Sequence, residues 1–147
     1  MIDKIRILIV ENEKLLRISL KNIFNEIDNF LVVGEAQDGL DAVKQTDELK
    51  PDVILMDIGL EKMDGIKATK KIKDKYKNIK VIIFTSHTEE DEIRRAIEAG
   101  ANAIAIKNLK TEYLVRVIES VKDGAIWFDP HIANFVNLKS TFKAENI

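Results

Sequence analysis

Glu11 and Asn12 follow the run "ILIV", Asp57 follows "VILM", Thr85 and Ser86 close "VIIFTS", and Lys107 follows "AIAI". Each run has the length and β-branched content of a buried strand, so each polar group stands at a strand's C-terminal tip. If those tips lie side by side, two carboxylates, an amide, two hydroxyls and an ammonium converge. That is oxygen-donor chemistry offset by one compact positive charge. Disulfides, thiolate zinc sites and thiol nucleophiles are excluded, because the chain contains no cysteine. His87 and His131 lie apart in sequence without a ligand-like pattern and receive no role.

The elements that must position these groups alternate along the chain. Strands are predicted at Ile5–Val10, Leu31–Ala36, Val53–Met56, Val81–Thr85 and Ala103–Ile106. Between them, Leu16, Leu20, Ile23 and Ile27 make one helical face, and Ile93, Ala96 and Ile97 another. Leu114, Val117, Ile118 and Val121 repeat at helical spacing. Asp38 and Thr88 are expected N-caps, and Asp64-Gly65 a turn and helix start. Gly100 in "EAGA" is expected to stop a helix, since glycine takes the left-handed position cheaply. Continuous apolar strands separated by helices imply a parallel sheet covered on both faces, with its functional crevice at the strand C-termini. After Gly124, "IWFDPHIANFV" places Asp129 as an N-cap and Pro130 at the first position of a short sixth helix, with Ile132, Phe135 and Val136 on one face. Trp127 and Phe128 read as packing residues. The polar stretch Leu138–Ile147 reads as frayed.

With 147 residues, 46% hydrophobic and 33% charged, the chain has the makings of one ordinary globular domain. No apolar run is long enough to cross a bilayer, and the opening "MIDKIRILIV" is not a secretory signal. These features fit a cytoplasmic protein. A net charge of −2 gives no electrostatic reason to expect the chain to bind DNA by itself.

Four motifs in order, "ILIVEN", "DVILMDIGLEKMDG", "VIIFTS" and "AGANAIAIK", resemble the receiver domain of bacterial two-component response regulators from Ile5 to Gly124. The spacing and "GAIWFDPHIA" are further similar to receivers that precede a LuxR/NarL-type helix-turn-helix domain. The resemblance implies a flavodoxin-like, doubly wound five-stranded parallel sheet in the order 2-1-3-4-5, with five helices and a short C-terminal extension helix. It implies a receiver over residues 1–126, with 127–147 an extension helix and tail at the start of a linker to an effector domain. It implies that Asp57 accepts a phosphoryl group from a sensor histidine kinase, and that Glu11, Asn12, Asp57 and the Gly59 backbone carbonyl hold Mg²⁺. Thr85 then hydrogen-bonds the phosphoryl oxygens and Lys107 ion-pairs with them. Phosphorylation would switch partner binding on the face of the fourth and fifth helices and promote a homodimer. DNA would be reached only through the effector domain, and no membrane is involved.

The chemistry stands on its own terms. A carboxylate attacks a multiply charged phosphoryl group only when positive charge cancels the repulsion, and Mg²⁺ takes oxygen ligands with one or two protein carboxylates. A carboxylate carries no proton to remove, so no general-base histidine is needed. Asn12 stands where the family usually has aspartate, which predicts weaker Mg²⁺ binding; as a bland alternative, Asn12 caps the first helix. Ile104 replaces the tyrosine or histidine many members carry, Glu61 stands where proline is common, and Asn108 follows Lys107 where many have proline. An aspartate-nucleophile phosphatase would need a second acid at position 59, which is glycine. A flavin binder would need a Ser/Thr/Gly-rich loop where "ENEK" stands. A pseudo-receiver, folded but never phosphorylated and acting as a protein-interaction module, is the alternative.

Overall fold

The computed structural model describes residues 3–135. Its elements run β1 (Ile5–Val10), α1 (Lys14–Asn25), β2 (Phe30–Ala36), α2 (Gly39–Leu49), β3 (Val53–Met56), α3 (Gly65–Lys75), β4 (Lys80–Thr85), α4 (Glu90–Glu98), β5 (Ala103–Ile106), α5 (Thr111–Lys122) and β6 (Trp127–Phe128). A 3₁₀ helix spans Pro130–Phe135. The strands form one parallel sheet in the order β2-β1-β3-β4-β5-β6.

The expected order of the first five strands therefore holds, and a sixth strand is added at the edge. Trp127 and Phe128 were expected only to pack; they also pair with Ala103 and Ile104 of β5. The sixth helix is a single 3₁₀ segment. Val136 and the stretch Leu138–Ile147 lie outside the described residues.

Period-two alternation divides the strand side chains between two cores. Leu8, Val10, Ile54, Met56, Val81 and Ile83 face α2, α3 and α4, where Ala42, Ala68, Ile72, Ile93 and Ala96 meet them. Ile7, Ile9, Val53, Leu55, Ile82 and Phe84 face α1 and α5, against Leu20, Phe24, Leu114 and Ile118. Phe24 and Phe30 close the far end of that second core edge-to-face, with ring centroids 5.6 Å apart. With apolar cover on both sides, the central strands read as unbroken hydrophobic runs.

Helix boundaries follow local chemistry. Asp38 caps α2 by accepting from the Asp41 N–H, and Asp64 caps α3 by accepting from the Lys67 N–H. Gly100 ends α4 with φ +104°. Thr88 is not the cap of α4: Glu89 holds that position and makes no side-chain cap bond. Three acids in the first turn, Glu90, Asp91 and Glu92, answer the helix's positive end instead. Asn12 likewise is not the cap of α1, which is Glu13.

Gly65 is where the sheet and a helix come closest beside the crevice. A Cβ there would stand 1.8 Å from the Asp57 carbonyl oxygen. Gly65→Ala should therefore push the β3 tip and α3 apart and cost about 1–3 kcal/mol, read as a lower urea midpoint. An unchanged midpoint would show that this approach is not a constraint.

Candidate functional site

The order β2-β1-β3-β4-β5 reverses direction at β1, so the connections after β1 and β3 leave on opposite faces and open a crevice between them. β1 delivers Glu11, whose N–H donates to the Ala36 carbonyl at 3.0 Å. β3 delivers Asp57, whose N–H donates to the Val10 carbonyl at 3.1 Å. β5 delivers Lys107, whose N–H donates to the Thr85 carbonyl at 2.9 Å. The ladder thus continues one residue past each strand and fixes the backbone from which each charged group projects.

These three groups meet. Lys107 Nζ lies 2.8 Å from Glu11 Oε1 and 3.0 Å from Asp57 Oδ2. Glu11 is only 2% exposed and Asp57 6%, so neither carboxylate is solvated at the surface. Lys107 is no surface lysine, because its ammonium bridges two buried carboxylates. The second oxygen of Glu11 accepts from the Glu13 N–H at 3.0 Å.

Burial pushes the Glu11 carboxyl above its usual range; hydrogen bonds from Lys107 and the Glu13 N–H pull the other way, and the charge of Asp57 adds to the rise. Burial also pulls the Lys107 ammonium down, but hydrogen bonds and charge from Glu11 and Asp57 outweigh it, and the net direction is upward.

The other expected residues sit less centrally. Thr85 is fully buried at the end of β4, and its hydroxyl oxygen accepts from the His87 N–H at 3.0 Å. Among the described residues no hydrogen bond joins it to Asp57. Asn12 is exposed at the rim and makes no side-chain hydrogen bond among the described residues. Gly59 follows Asp57 by two residues, and a Cβ built on it would lie 3.2 Å from His87 Nε2. Glu61 is exposed. Ile104 is wholly buried, in the core shared with Phe128.

Two further residues lie beside these strand tips. His87 lies beside Gly59, and its place two residues past Thr85 is the available signal. Arg17 donates from Nη1 to the Glu11 carbonyl at 2.7 Å and pairs with Glu35 at 3.5 Å, steadying the β1 tip. Nothing local in the sequence marks that contact. A cavity of about 740 Å³ lies at the opposite end of the sheet, lined by Lys4, Arg6, Asp52 and Glu119, away from the converging groups.

Two buried carboxylates brought to one lysine offer the kind of oxygen donors a hard divalent cation takes. The response regulator receiver domain family matches residues 7–119. The chain belongs to the response regulator receiver family. The receiver is 34% identical to the response regulator protein VraR of Staphylococcus aureus over 87% of this chain and 61% of the relative. The chain thus spans about three fifths of that relative's length. Its fold matches a LuxR-family two-component response regulator from Aurantimonas sp. with TM-score 0.84 and 30% identity, covering 90% of this chain and 94% of that one. A LuxR-family DNA-binding response regulator from Staphylococcus aureus gives TM-score 0.76 and 29% identity, covering 80% and 98%. Among the described residues, no helix is long and apolar enough to cross a membrane.

The raised Glu11 carboxyl sets a pH signature. The folded receiver holds the Glu11 proton more tightly than the unfolded chain, so this group makes stability fall as pH rises from the usual 4.5 through its folded value. Lys107 stays charged throughout that window and adds no slope. Glu11→Gln should remove this fall, which a series of urea unfolding curves at stepped pH will read. Parallel curves for the two proteins would mean that Glu11 does not titrate in this way.

Proposed function

We propose that this receiver takes a phosphoryl group onto Asp57 and uses it to change which partners it binds. The observation that carries the reading is the ammonium of Lys107 bridging Glu11 and Asp57 at 2.8 and 3.0 Å. Lys107 engages Oδ2 of Asp57, leaving Oδ1 to attack phosphorus while the bond from phosphorus to the donor breaks and the donor departs with that electron pair. Glu11, Asn12, Asp57 and the Gly59 carbonyl are the residues that would hold Mg²⁺. When bound, Mg²⁺ supplies the positive charge that offsets the incoming phosphoryl oxygens. Lys107 adds a second cation on the β5 side. Thr85 serves by turning its hydroxyl from the His87 amide toward a phosphoryl oxygen, a rotation of one side chain.

Asn12 sets the strength of the metal site. Aspartate there would add one charge, and a charge at about 4 Å is worth roughly 1 kcal/mol in water and about 4 at an effective dielectric of 20.

Response regulators act with histidine kinases, and a sensor histidine kinase is the donor proposed here. The chain spans 61% of its VraR relative. We place the receiver at residues 1–126, with 127–147 as the extension that leads to an effector domain. Control of transcription, with DNA contacted through that domain, is the output the LuxR-family likeness supports. Homodimerisation on phosphorylation and a cytoplasmic site of action complete the reading. A pseudo-receiver is the second reading, favoured by the exposed Asn12 and by a Thr85 hydroxyl engaged with the His87 amide.

Acetyl phosphate with Mg²⁺ separates the two. One phosphoryl group should appear on the intact chain by mass spectrometry and be absent from Asp57→Asn; an unmodified wild-type chain at high Mg²⁺ would establish the pseudo-receiver. Asn12→Asp should tighten Mg²⁺ binding roughly tenfold to several hundredfold, measured by titration calorimetry, and equal affinities would remove Asn12 from the metal site.

A further inference from the structure

The connection from β4 to α4 gathers an imidazole and two carboxylates that the phosphoryl chemistry does not use. His87, Glu89 and Glu92 each offer a ligand atom, and these atoms all lie within 4.8 Å of one another. His87 Nδ1 is 3.2 Å from one oxygen of Glu92 and 3.3 Å from the other. Glu89 places a carboxylate oxygen within 4.8 Å of the ligand atoms of both His87 and Glu92.

The remaining acids of this helix start are balanced. Glu90 pairs with Arg94 at 2.8 Å and Asp91 with Arg95 at 3.3 Å. Among the described residues no lysine or arginine pairs with Glu89 or Glu92. The positive end of α4 explains why acids collect at its first turn. It does not explain an imidazole set against Glu92 with Glu89 close by. Imidazole nitrogen with two carboxylates is a mixed nitrogen and oxygen donor set, which suits zinc-class ions and is unlike the all-oxygen surroundings Mg²⁺ prefers.

We propose that His87, Glu89 and Glu92 form a second metal site, for a zinc-class divalent ion, separate from the Glu11–Asp57 crevice. Ligands of tetrahedral zinc stand about 3.4 Å apart, given metal–ligand bonds of about 2.0–2.2 Å, so modest rotations of these partly exposed side chains close the set. Water takes the fourth position. The His87 N–H donates to the Thr85 hydroxyl, so an ion here clamps the connection carrying that hydroxyl to the first turn of α4.

The test uses the whole chain in millimolar Mg²⁺, with Zn²⁺ followed by calorimetry and Co²⁺ by its visible absorbance. One ion should bind per chain, with affinity lowered about tenfold or more by His87→Gln and by Glu92→Gln and retained in Asp57→Asn and His131→Gln. No saturable binding by the wild-type chain, or equal affinity in His87→Gln, would overturn the proposal. So would loss of binding in Asp57→Asn or His131→Gln, which would place the ion in the acid crevice or beside Asp129.

Discussion

The ammonium of Lys107 stands between two carboxylates that have been taken almost wholly out of water, and the architecture around it is arranged to make that possible. Burying a charge is costly unless it is paired and hydrogen-bonded, and breaking a buried pair costs more than forming it gains. Glu11 and Asp57 repel each other and share a single cation. Three strands must therefore end within reach of one point, and they come from parts of the chain more than forty residues apart. β1 and β3 pair directly, while β4 spaces β5 away, so Lys107 reaches back across the tip of β4. A lysine stem of four methylenes suits that span.

This arrangement explains why the site was so legible in the sequence. A polar residue directly after a buried apolar run has one place to go in a doubly wound sheet, and Glu11, Asp57 and Lys107 each go there. The strand runs themselves were unambiguous because both faces are covered, and β1, β3 and β5 begin and end where their apolar runs do. Local capping was nearly as clear at Asp38 and Asp64, where one carboxylate accepts one backbone N–H. At α4 it failed, because several acids near a positive helix end make a side-chain cap dispensable, and Glu89 rather than Thr88 takes the cap position. Trp127 and Phe128 gave no strand signal, since two residues carry no period; only the exposed edge of β5 makes them a strand. The direction of the Thr85 hydroxyl was equally unreadable, because a buried hydroxyl takes whichever partner lies nearest.

His87 shows the limit from the other side. Its sequence neighbourhood, three residues of loop followed by acids, looks like ordinary solvated helix-start chemistry. Only the turn of the β4–α4 connection brings its ring against Gly59 on one side and Glu92 on the other. Glycine at position 59 is compatible with that approach, since a larger residue there would crowd the ring. The same glycine leaves the phosphatase pattern without its second acid. One small residue thus makes room for a neighbour.

The C-terminal extension is anchored to the strand that carries Lys107. Asp129 is 1% exposed and accepts from the Ile106 N–H at 3.1 Å, one residue before Lys107, and from the His131 N–H at 2.9 Å. Burial raises its carboxyl, but these bonds and the His131 ring outweigh it, and the group is held below its usual range. Phe128 pairs with Ile104, and Ile132 is buried in the same core as Ile93 and Ala96 of α4. Position 104 therefore carries an aliphatic side chain in a place already filled by packing from the extension. An inward-rotating aromatic is absent there, and β5 is instead joined to the chain's exit by backbone pairing and one buried carboxylate. The carboxylate's bond to the Ile106 N–H lies one residue from Lys107, so any shift of the β5 tip acts on it first. Residues 127–132 are thereby joined by backbone pairing and one buried carboxylate to the strand that ends at Lys107.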